Sequence, residues 1–114
     1  MTETTKGHFL DCDPAVEATY DAVLRAAQSL GPVREEAKKT SIHLVRKTAF
    51  AGVSTRRKWL VLTLKSATDL KSPRVGKREQ VSANRWHIEI KLGSARDVDR
   101  EIARWVKAAY GLAG

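Results

Sequence analysis

The chain has 114 residues, 42% of them hydrophobic, which is enough for one domain with its own core and too little for two. A formal charge of +8 and an isoelectric point of about 10.0 favour anionic partners such as nucleic acid or acidic protein surfaces. A single cysteine excludes an internal disulfide, Met1–Gly7 lacks the apolar run of an export signal, and no stretch approaches the roughly 18 apolar residues of a membrane span, so a cytoplasmic protein is expected.

In chain order, Asp13-Pro14 opens a helix: the carboxylate accepts from orphan amides and the proline has no N–H to waste. Val16, Tyr20, Val23, Leu24, Ala27 and Leu30 recur at helical spacing, and Gly31-Pro32 ends the helix, predicting one amphipathic helix over 14–30. Val33–Lys38 reads as a weak strand. Ser41–Arg46 and Ala49–Ser54 read as two more, joined by a Lys47-Thr48 turn. Lys58–Lys65 is the strongest, with Leu60, Leu62 and Leu64 on one face and Trp59, Val61 and Thr63 on the other. Residues 66–85 carry little apolar content besides Leu70, Val75 and Val81 and read as a long basic loop. Trp86–Leu92 alternates again, with Trp86, Ile88, Ile90 and Leu92 turned inward. Ser94 and Asp97 resemble a capping box, and Val98, Ile102, Trp105, Ala109 and Leu112 predict a second helix over 95–110. The expectation is a single α+β domain over 1–114 with a flexible N-terminal segment at 1–12. An antiparallel sheet of about five strands would have an N-terminal and a C-terminal helix packed on one face, leaving the other open.

Charge is unevenly spread. Residues 1–37 carry 3 basic and 7 acidic side chains, residues 38–91 carry 14 and 3, and residues 92–114 carry 4 and 3. The basic excess therefore belongs to the sheet and its long loop, with His43, Lys47, Thr63, Lys65, His87 and Lys91 at outward positions. Solvated strand faces also carry lysine simply to discourage strand addition.

His8, Asp11, Cys12 and Asp13 offer metal-ligand chemistry within six residues, but no second cluster completes a site and Asp13 is already explained as a cap, so no metal is assigned. No nucleophile elbow, phosphate-binding glycine loop or zinc spacing is present, which disfavours an enzyme. An enzymatic alternative would be built around His43, Arg74 and Arg85. Trp59, opposite the leucine face among cations, has the character of a base-stacking platform, with packing beneath the loop as the plainer alternative. The candidate ligand-binding residues are Lys39, His43, Trp59, Arg74, Lys77, Arg78 and Arg85, with no catalytic residue and no cofactor.

Several segments together resemble the domain of unknown function 5655 family: Leu30-Gly31-Pro32-Val33, Lys39 to Leu44, Phe50 to Val53, Leu60 to Leu64, Ser72 to Val75, Asp99, and Trp105 to Tyr110. With His8-Phe9 the resemblance spans roughly 8–112. It implies a small α+β fold and brings no activity, cofactor or catalytic residue with it. The expected function is a non-enzymatic binding module for nucleic acid or another anionic ligand. The alternative is a protein-interaction or homodimerisation domain using the open sheet face.

Overall fold

Asp13 caps the first helix as its sequence requires, accepting from the Ala15 amide at 3.0 Å, and helix α1 follows over Pro14–Gln28. In the computed structural model, which describes residues 5–10 and 12–113, six strands come next: β1 (Arg34–Ala37), β2 (Ile42–Val45), β3 (Ala49–Thr55), β4 (Leu60–Ser66), β5 (Val75–Ser82) and β6 (Arg85–Leu92). Helix α2 (Arg100–Leu112) ends the fold, and short 3-10 turns occupy Thr5–Phe9 and Ala95–Asp97. All strand pairs are antiparallel, in the order β1-β2-β3-β4-β6-β5.

The period-two reading places the core correctly. Leu60, Leu62 and Leu64 of β4 and Ile88, Ile90 and Leu92 of β6 are buried, and they share one hydrophobic cluster with Val16, Tyr20 and Val23 of α1 and Ile102, Val106 and Ala109 of α2. Trp86, expected in the core, instead lies half-buried opposite Ser66 and Gln80 at the end of the sheet and outside that cluster.

The expected long loop at 66–85 is a correction, since β5 occupies its second half and leaves only residues 67–74 as connection. Every position of β5 is exposed or half-buried, so no hydrophobic alternation marks it. Its backbone pairs with β6 through two bulges, at Gly76 and Val81, and its charged edge discourages a further strand. This strand raises the sheet from about five strands to six.

The second helix also differs from expectation. Asp97 Oδ2 accepts from the amides of Gly93 and Ser94 as a capping arrangement would, but only a single turn follows. Asp99 then caps α2 by accepting from the amides of Glu101 and Ile102, at 3.1 and 3.2 Å. At the other end of α2, the Lys47 and Thr48 amides of the β2–β3 turn each donate to Ala113 O at 3.3 Å, and Arg46 Nη1 donates to Tyr110 O at 3.1 Å. Orphan carbonyls of the helix are thus satisfied by a hairpin remote in sequence.

Where it is described, the N-terminal segment contacts α1, β3 and the β3–β4 turn. The Phe9 ring lies 5.3 Å from that of Tyr20, Thr55 Oγ1 donates to His8 O at 2.8 Å, and the Asp13 amide donates to Arg57 O at 2.7 Å. The Tyr20 hydroxyl donates to Glu35 Oε1, and burial together with that carboxylate pushes the phenol pKa well above its ordinary value.

Candidate functional site

Strand pairing aligns one row of residues across the sheet on the face opposite the leucines: Glu36, His43, Gly52, Thr63, Glu89 and Lys77. The neighbouring row includes Lys65 and His87, which are register partners. Among these, His43, Thr63, Lys65 and His87 border a hollow of about 250 Å³ centred on β3. Two local features empty that part of β3. Gly52 has no side chain, and Phe50, which simple alternation would place beside it, falls at a bulge where Leu44 pairs with Ala51 and Val45 with Ala49. Phe50 is consequently buried, packing edge-on against Tyr110 with ring centroids 5.3 Å apart. β3 therefore contributes only Gly52 and the apolar residues Ala49, Phe50 and Ala51 to the hollow, while the strands on either side add the polar side chains.

The polar groups at the hollow suit an anion. His43 and His87 each offer a ring N–H, Thr63 a hydroxyl, and Lys65 an ammonium that donates to Thr48 Oγ1 at 3.3 Å. Glu36, the carboxylate opposite His43, is bracketed by Arg34 at 2.9 Å and Lys38 at 3.3 Å. Hydrogen bonds from Arg34 and then Lys38 hold its carboxyl below the usual range. Glu89 stands opposite Thr63 and Lys77, and Glu79 opposite His87, so on the β5–β6 side of the face carboxylates are interspersed with the cations.

The seven candidate ligand-binding residues are not brought together. Lys39 is exposed in the β1–β2 turn, His43 borders the hollow, and Lys77 lies on edge strand β5 opposite Glu89. Arg78 pairs with Asp69 at 3.1 Å, and Arg85 Nη1 donates to the Asn84 carbonyl at the β5–β6 turn. Trp59 immediately precedes β4, at the other end of that strand, where the Lys91 ammonium sits 4.2 Å from its ring centroid and covers one face of the indole. Arg74 is committed elsewhere: Nη1 donates to both Asp99 oxygens, at 2.9 and 3.0 Å, and to Glu101 Oε1 at 3.2 Å, while Nη2 donates to Asp97 O at 2.6 Å. It straps the β4–β5 connection to the start of α2. His43, Arg74 and Arg85, the enzymatic alternative, lie respectively in β2, in the β4–β5 connection with the guanidinium against the start of α2, and at the first residue of β6, and no hydrogen bond or ion pair among the described residues joins them. Of the N-terminal cluster, Asp11 lies outside the described residues, Asp13 is spent as a cap, and Cys12 Sγ donates to His8 O at 3.3 Å.

The strap predicts a pH dependence. The Arg74 hydrogen bond, then the Ile102 amide, holds the Asp99 carboxyl below its ordinary value. A depressed folded-state pKa contributes stability that is fully present above the unfolded value and is lost as pH falls through the folded one. Asp99→Asn keeps a side-chain oxygen for the cap but loses the charge. Its melting temperature should fall below wild type at neutral pH and converge on it in acid. A gap that stayed constant from pH 7 into strong acid would show that the ion pair contributes nothing.

Among the described residues no helix is long and apolar enough to cross a membrane. No match was found among curated proteins or among solved structures. The family model described as a domain of unknown function, DUF5655, matches residues 5–113, from the turn before α1 through the last turn of α2, and the chain belongs to that family.

Proposed function

We propose that the chain is a cytoplasmic, non-enzymatic binding module in which both helices cover the apolar face of the sheet and the opposite face takes a phosphate-bearing anion in the hollow over Gly52. The observation that carries this reading is the gap at Gly52 and Phe50, bordered by His43, Thr63, Lys65 and His87. The ring N–H groups, the hydroxyl and the ammonium at its border are donors that suit the oxygens of a phosphate group, whether on a nucleic acid backbone or on a small compound. Arg74 of the β4–β5 connection and Arg78 of β5 support it less, because both already hold carboxylates.

Gly52 offers a clean test. A Cβ added there would lie 3.8 Å from His43 Cδ2 and 3.9 Å from Thr63 Cβ, so it fits without displacing either. Gly52→Ala should raise stability by about 0.5–1 kcal/mol, since glycine inside a strand carries an entropic cost. Gly52→Val and Lys65→Met should weaken the anion. Calorimetric titration with inorganic phosphate and a nucleotide, and anisotropy of a labelled single-stranded oligonucleotide at low and physiological salt, read the effect and separate the sources. A nucleic acid backbone would lose affinity steeply with salt. Absence of binding by all three probes at low salt, or binding that both variants leave intact, would refute the site, and self-association lost in the same variants would favour an interaction domain.

A further inference from the structure

On the helix side of the molecule, away from the sheet hollow, a groove of about 390 Å³ runs between the end of α1 and the flank of α2. Its half-buried lining is apolar, from Ala26 and Leu30 at the α1 end and Ala103 on α2, and it is bordered by the exposed cations Arg100, Arg104 and Lys107. Spacings of four and three residues align those cations along one side of α2. Among the described residues none of the three pairs with a carboxylate. The acids at that end of the chain are spent: Asp99 and Glu101 hold Arg74, and Asp97 accepts from the Gly93 and Ser94 amides. An apolar trough thus lies beside a row of cations that the protein itself does not neutralise.

We propose that this groove docks an acidic amphipathic helix from a partner protein. The two requirements select that occupant together. A helix with apolar residues at i, i+4 and i+7 fills the trough, and carboxylates along its flank meet Arg100, Arg104 and Lys107 at the same axial spacing. A phosphate backbone would satisfy the cations but leave Leu30 and Ala103 uncovered, and a purely apolar helix would bring nothing to the cations.

The test uses the full chain and a labelled helix-forming peptide with leucines at i, i+4 and i+7 and glutamates on the flanking positions. A second peptide replaces each glutamate with lysine. Saturable anisotropy is expected with the glutamate peptide only, and the Arg104→Glu, Lys107→Glu double variant should weaken it on the order of tenfold or more. Both substituted positions are exposed, so the variant should melt close to wild type by circular dichroism. Any of four results overturns the proposal: no saturable binding of the glutamate peptide, equal binding of the lysine peptide, affinity unchanged by the double variant, or binding of a labelled oligonucleotide that the double variant abolishes and the glutamate peptide does not displace. A dimer detected by light scattering and dissociated by the same variant would also overturn it, by making a second copy the occupant. The sheet hollow is untouched by these substitutions, so its phosphate binding provides an independent control.

Discussion

Leu62→Ala should lower the unfolding free energy by about 2–5 kcal/mol, the range for a fully buried leucine whose cavity cannot collapse. Leu62 has no exposed surface and pairs in register with Val53 on one side and Ile90 on the other, both also fully buried. It sits in β4, an interior strand with three strands on one side and two on the other, contacted by both helices. Few neighbours are free to move into the space. Urea unfolding should show a lower midpoint with an unchanged slope, because the mutation alters stability rather than the surface exposed on unfolding. Val61→Ala, one residue away on the outward face and half-buried, should cost less than half as much. Equal costs at the two positions would mean the sheet does not have one buried and one open side.

Gly31→Ala should be the most damaging change at an exposed or half-exposed position. Gly31 has a φ of 150°, a conformation that side chains rarely adopt, and a Cβ built there would lie 2.5 Å from the Tyr110 hydroxyl. That hydroxyl donates to Pro32 O at 3.1 Å, stitching the last turn of α2 to the segment leaving α1. The substitution carries backbone strain of about 1–3 kcal/mol and also displaces a hydrogen bond contributing about 1 kcal/mol. Tyr110→Phe removes the obstructing oxygen, so Gly31→Ala should cost distinctly less in that background. A double-mutant cycle in calorimetric melting checks this, and strict additivity would show that the close approach is not the cause.

The sequence by itself determined those parts of the fold whose signal is local. Asp13-Pro14 starts a helix wherever it occurs, because cap and proline act within one turn. Leu60, Leu62 and Leu64 specify a strand with one buried face whatever lies against it. The polar character of the outward positions His43, Thr63, Lys65 and His87 was legible for the same reason, since parity follows from chain order. What only the tertiary structure decided depends on partners distant in sequence. β5 forms because β6 offers it a free edge, and its exposed residues carry no periodic trace of that pairing. Arg74 reads as an anion ligand until Asp99 and Glu101, some 25 residues further on, claim its guanidinium. The hollow itself lies at a bulge where Phe50 packs on Tyr110 of α2, a contact between residues 60 apart that is invisible in the alternation of β3. The groove beside Arg104 likewise lies between the end of α1 and the flank of α2, a relation between two helices that neither stripe encodes.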